Sequence, residues 1–410
     1  MSVYSLLDSK IFGTDNWCFQ LQPLYKHGLL TSLSNGEVHL IDWKSNQSIK
    51  SFKIGNTAVN GLKLINSDSH GGDLFASCAM DTVKIFDVRQ ASEKVIGTIK
   101  SENESPFLSL DSRHGKLACG TELKGVDAQL HLYDIRKLDS TWKSFVDSHH
   151  DDITCIKFHP TDPTVLLSGS TDGYTNIYDL TEEEEDDSLH QVINYESIHS
   201  CGWLSPRRIF TLSHMETFAI HELNDKSEEL KEPQPLDFGD IREKWGCDYV
   251  IDLYPGFVAT GKSHEEGDCD LKLIPFMNEI ADVNNSVTIK NPHGSEVVRD
   301  VFIPSTDSSL LYSCGEDGSV KVWKNSNGYL TTPETFWDYS IKSNVLNESV
   351  EVNMVAENET AISMVEPVVD EEASKEMKKS KKEKKDKEKK HKSKDKKHKK
   401  SSKGHRYKPY

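Results

Sequence analysis

Leu166–Leu180 reads LLSGSTDGYTNIYDL, and Leu310–Lys324 reads LLYSCGEDGSVKVWK. Each has an apolar run, an Asp-Gly turn and an alternating run that ends on an aromatic residue. Asp-Gly between alternating runs is a strong hairpin signal, because both turn positions need backbone that glycine and aspartate tolerate. The same design recurs in LFASCAMDTVKIFDVR (74–89) and LLTSLSNGEVHLIDW (29–43). A further strand precedes the hairpin in ITCIKFHP (153–160) and VVRDVFIP (297–304), and an outer strand follows it, as in HQVINY (190–195). Each unit therefore supplies four antiparallel strands.

The hairpin endings set the count. They read VHLID (38–42), VKIFD (83–87), LHLYD (130–134) and TNIYD (175–179), with weaker copies FAIHE (218–222), LKLIP (271–275) and VKVWK (320–324). Their fourth positions fall at 41, 86, 133, 178, 221, 274 and 323, at spacings of 45, 47, 45, 43, 53 and 49. One four-stranded unit cannot bury its own faces, and stacking seven around an axis removes that exposure. The expected fold is all-β, a seven-bladed β-propeller over residues 1–345. The period is that of the WD40 repeat, and the chain resembles that family from residue 1 to about 340.

The resemblance implies site roles. In the family a histidine, a serine, an aspartate and a strand aromatic form a hydrogen-bonded brace. The fourth repeat carries a His149-His150 pair, Ser168 or Ser170, Asp172 and Tyr178, and we take His150, Ser168, Asp172 and Tyr178 as its members. Repeats five and six depart from the pattern, with Glu222 and Pro275 at the acid position and HEEGDCD (264–270) lengthening a turn. The stretches 117–140, 148–180 and 200–205 look like the WD repeat-containing protein 89 family, which implies the fold and a nuclear association. Phe86-Asp87-Val88-Arg89 and Tyr133-Asp134-Ile135-Arg136 resemble an ending that some propellers present to a cullin-4 adaptor. That makes Asp87, Arg89, Asp134 and Arg136 candidate adaptor contacts.

Composition narrows the function. There is no run of 18 apolar residues, so we expect no membrane span, and MSVYSLLDSKIF does not read as a signal or transit peptide. None of the eight cysteines stands in C-x-x-C or zinc-finger spacing, and Cys78, Cys119 and Cys314 sit in apolar runs, which suits a reducing compartment. P-loop, G-x-S-x-G, G-x-G-x-x-G and H-E-x-x-H motifs are missing, so we expect no enzyme, cofactor, metal or small-molecule substrate.

Charge is divided sharply. Lys375–Tyr410 holds 19 Lys/Arg and 5 Asp/Glu, a net +14, which leaves 30 basic and 61 acidic residues, a net −31, in the remainder. Residues 346–374 hold eight acids and no Lys or Arg, and read as a disordered acidic linker. Residues 375–410 read as a basic disordered tail, since a helix there would have no apolar face. Lys381, Lys382, Lys384, Lys385, Lys396, Lys397, Lys399 and Lys400 are the candidate nuclear address and RNA contact, through phosphates and without sequence preference. A second acidic run, Glu182, Glu183, Glu184, Glu185, Asp186 and Asp187, follows the third strand of repeat four and is the candidate contact for a basic partner. The expected function is a non-catalytic scaffold binding protein partners in the nucleus or nucleolus, with ribosome biogenesis as the process and the cytoplasm as the other location. The alternatives are a chaperone-like receptor for a ribosomal protein or histone, and a substrate receptor of a cullin-4-type ubiquitin ligase.

Overall fold

The computed structural model describes residues 4–13, 15–65, 72–90, 93–226, 234–263, 269–325, 330 and 332–347. Seven antiparallel sheets form the blades of a β-propeller. Blade 4 shows the plan, with Ile153–Phe158, Val165–Ser170, Tyr174–Asp179 and Leu189–Asn194 paired in chain order. Blade 7 is closed by the other end of the chain: Tyr4–Ile11 pairs with Ser319–Asn325 as its outermost strand. Blade 6 departs at its outer edge, where Cys269–Met277 pairs with both Ile280–Ala281 and Val287–Ile289. All seven hairpin endings quoted above lie on third strands.

Apolar residues pack between blades, where each sheet meets the next. Phe52 of blade 1 meets Phe75 and Phe86 of blade 2, at ring-centroid distances of 4.9 and 5.2 Å. Phe145 of blade 3 stacks on Tyr178 of blade 4 at 4.2 Å. All eight cysteines are buried and free of disulfides, and seven of them, all but Cys269, pack in the apolar clusters of these seams. The turns follow their glycines: Gly318 has φ +72°, and a Cβ there would lie 2.1 Å from the Gly13 carbonyl oxygen. Only glycine fits that turn.

The innermost strands carry a second kind of seam. Six of the seven contain a register shift near their start, as between Ile153 and Cys155 or Val298 and Asp300. A bulge re-aims the side chain that follows it. The re-aimed groups bond to the next blade: Ser109 to the Ile153 carbonyl at 2.7 Å, Ser200 to Asp252 at 2.8 Å, and Asp300 to the Leu21 N–H at 2.8 Å. The last of these joins blade 7 to blade 1 and closes the ring.

Turns between strands one and two, and between three and four, lie on one face, called lower here. The remaining turns lie on the upper face. Residues 332–347 leave blade 7 and cross the lower face as a strap. Phe336 packs against the seam of blades 5 and 6. Arg113 lies over the Tyr339 ring at 5.1 Å, and Trp337 meets His159 at 5.7 Å. Ser343 donates its N–H to the Thr161 carbonyl at 3.1 Å, and Val345 donates to Asp162 at 2.8 Å. Val345 and Leu346 are buried against blades 4 and 5. The strap carries described structure to Asn347, two residues past the boundary at 345 read from sequence. The linker beyond Asn347 and the whole lysine-rich tail lie outside the described residues.

Candidate interaction surfaces

His149 ends the outer strand of blade 3, Lys143–His149, with its ring turned inward. Its Nδ1 lies 2.9 Å from Asp172 and its Nε2 2.7 Å from Ser168 Oγ, and Ser168 donates to the Tyr178 hydroxyl at 3.3 Å. The sequence reading placed His150 in this brace, and the geometry corrects it. His150 gives Asp172 only its backbone N–H, at 3.0 Å, while its exposed ring pairs with Asp127 at 2.5 Å. Strand alternation explains the swap, because neighbouring residues point to opposite sides. Ser170, the other serine considered, instead donates to the Asp151 carbonyl at 3.0 Å. Burial raises the Asp172 carboxyl, but His149 together with the backbone N–H groups of Tyr174 and His150 outweighs burial and holds it low.

Blade 7 carries a second brace that the sequence reading missed. His293 Nδ1 lies 2.7 Å from Asp317, its Nε2 2.8 Å from Ser313 Oγ, and Trp323 Nε1 donates to that hydroxyl at 2.9 Å. Burial lowers the His293 pKa against the pull of Asp317. The available signal was spacing: the serine precedes the aromatic by 10 residues in both blades, and the histidine precedes the aspartate by 23 and 24.

On the lower face, Arg89 forks onto Asp87 at 2.9 and 2.7 Å, and Arg136 onto Asp134 at 3.0 and 2.8 Å. Both guanidinium groups remain largely exposed. An identical Asp-x-Arg fork joins Arg242 to Asp240, outside any third-strand ending. The fork is therefore a local arrangement that a two-residue spacing favours.

The acidic run of blade 4 divides by role. Glu185 accepts the N–H groups of Val146 and Asp147 at 2.8 and 3.0 Å, together with the Ser148 hydroxyl, and so caps the edge of blade 3. Glu182 pairs with Lys226 at 3.0 Å. Glu183, Glu184, Asp186 and Asp187 are exposed. A carboxylate run looks uniform in sequence, and the edge it would cap cannot be read there.

The innermost strands carry Lys63, Asp111, Lys157, Asp252 and Asp300. Asp111 accepts the Phe158 N–H at 2.8 Å and faces Lys63 at 3.6 Å. Tyr254 donates to Asp300 at 2.6 Å, and burial pushes the Asp300 carboxyl up to about 6. These carboxylates hold neighbouring blades together. Phe336 and Tyr339 of the strap line the lower end of a cavity of about 160 Å³ beside Lys157 and Asp252. Among the described residues, no group of three or more His, Cys, Asp or Glu is placed to hold a metal ion.

Closed ring, four-stranded blades and two histidine-serine-aspartate-aromatic braces define a repeat propeller. The family model "WD domain, G-beta repeat" matches residues 141–179 and 285–324, the segments that carry the two braces. The WD repeat-containing protein YNL035C of Saccharomyces cerevisiae is 59% identical over 382 residues, covering 93% of this chain and 97% of that one. A WD repeat-containing protein 89 homolog of Dictyostelium discoideum is 28% identical over 321 residues, 76% of this chain and 84% of that one. The chain belongs to the WD repeat family. Among solved structures, the Cps50 (Swd1) β-propeller domain of Myceliophteria thermophila matches with a TM-score of 0.57 at 14% identity, covering 78% of this chain and 99% of that one, a likeness of fold.

Proposed function

We propose that this chain is a non-catalytic scaffold of the nucleus, concentrated in the nucleolus, where its propeller holds basic macromolecular partners during ribosome assembly. The observation that carries the reading is the charge division, with −31 in residues 1–374 and +14 in Lys375–Tyr410. Charge of one sign over a rigid surface steers oppositely charged partners and selects against like-charged ones. Exposed Glu183, Glu184, Asp186 and Asp187 fit that use. The tail supplies the address and a sequence-independent contact with RNA phosphates.

A dedicated receptor for one basic protein, a ribosomal protein or histone, is the second reading, and the acidic propeller favours it. Purifying the tagged full chain at physiological salt separates the two. A scaffold yields RNA-containing assemblies that fall apart with nuclease. A dedicated receptor yields one basic protein in equal amount, resistant to nuclease. Recovery of a cullin adaptor would overturn both.

A further inference from the structure

Three large apolar side chains stand in solvent on the upper face of blades 2 and 3. Met80 is 51% exposed, Leu123 38% and Val126 79%. Their loops are tied together. Phe107 donates its N–H to the Met80 carbonyl at 2.8 Å, and Glu122 donates to the Pro106 carbonyl at 2.8 Å. Leu123 donates to Asp152 at 2.8 Å, and Lys124 pairs with Glu104 at 3.5 Å. The apolar groups are thus held ready, which lowers the entropy lost when a partner binds.

Their surroundings specify the occupant. The four loops 79–82, 101–106, 121–127 and 149–152 contain seven carboxylates, Asp81, Glu102, Glu104, Glu122, Asp127, Asp151 and Asp152, against one lysine, Lys124. A second copy of this surface would meet like charge. The lower face is already crossed by the chain's own strap. Resting on the basic-partner reading above, we propose that Met80, Leu123 and Val126 form a docking surface for an external segment in which apolar side chains alternate with arginine or lysine. The apolar groups enter the patch, and the flanking cations meet the surrounding carboxylates. Arrival of a cation also relieves the crowding that, after burial, Asp152 adds at the Glu122 carboxyl.

The test uses the full chain and two labelled peptides, one alternating arginine with leucine and one alternating arginine with serine, followed by fluorescence anisotropy. The leucine peptide is expected to bind at least about tenfold more tightly. A Leu123→Ser, Val126→Ser variant should lose that tenfold difference and keep its affinity for the serine peptide. Both side chains face solvent, so its melting temperature should match the parent's, which shows that it folds. Undiminished preference for the leucine peptide in the variant would overturn the docking surface and leave the basic-partner reading standing. If neither peptide binds at low salt, that broader reading falls first. Crosslinks from Lys124 to the chain's own tail lysines would give the surface to the tail and overturn an external occupant.

Discussion

His149 and His150 are chemically identical neighbours with different work. One joins two carboxylate and hydroxyl partners inside the protein, and the other holds a surface aspartate. Removing one member of a buried hydrogen-bonded set leaves its partners unsatisfied, at about 1–3 kcal/mol. Asp172→Ala and His149→Ala should each lower unfolding free energy by about that amount, while His150→Ala stays within about 0.5 kcal/mol, as surface changes do. Denaturant melts of the three variants check this, and equal losses at His149 and His150 would refute the assignment. The brace was legible as a set of residue types around an Asp-Gly turn. Which histidine belongs to it was not, because that depends on where the outer strand of the preceding blade ends. The blade 7 brace lay in the same spacing, but His293 stands in NPHGSEVV, apart from any strong strand signal.

At the scale of elements, repeated strands were readable and single-use segments were not. Hairpins announce themselves by alternation and turn chemistry, which act locally. The strap has neither, since its side chains are chosen by the blades it crosses. Leu346, read as linker, is 1% exposed. Leu346→Ala should cost about 2–5 kcal/mol by opening a cavity at blades 4 and 5, measured by thermal or urea unfolding. The acidic loop also divides only in three dimensions. Replacing Glu183, Glu184, Asp186 and Asp187 by Ser or Gln should slow capture of basic partners at low salt without loss of stability. Replacing Glu185 should destabilise the edge of blade 3.

A third element carries a pH signature. Glu216, in the turn between the second and third strands of blade 5, accepts the Val250 N–H of blade 6 at 2.9 Å, and burial raises its carboxyl from 4.5 to about 7. A group whose folded pKa is raised adds stability fully present below its unfolded value and lost as pH rises through the folded one. The parent should therefore lose stability relative to Glu216→Gln, which keeps an acceptor for Val250, between pH 4.5 and about 7. Urea midpoints of the two proteins across that range measure the effect. A constant gap between them would contradict it.

For the whole molecule, the fold follows from repetition and the proposed partner from charge. Seven copies of one pattern at a steady period leave few alternatives to a closed ring, whereas the binding partner is written in surface electrostatics that many propellers vary freely. Deleting Lys375–Tyr410 removes no residue of the propeller core, so the melting temperature should hold while nuclear and nucleolar accumulation falls. On single-stranded RNA, engagement of about 6–8 lysines should give a log affinity that falls with log salt at a slope of about −4 to −6. The isolated tail should bind RNA more tightly than the full chain, because the −31 body competes for the same lysines.

The central claim is that the acidic propeller is a surface for basic partners. Its most direct test is crosslinking of the tagged full chain in intact nuclei, with the crosslinked residues identified by mass spectrometry. Crosslinks are expected from the propeller to lysine-rich segments of basic proteins, weakened when the upper-face carboxylates around Leu123 and Val126 are neutralised. Crosslinks that run mainly to acidic or neutral partners, and persist after that neutralisation, would contradict it.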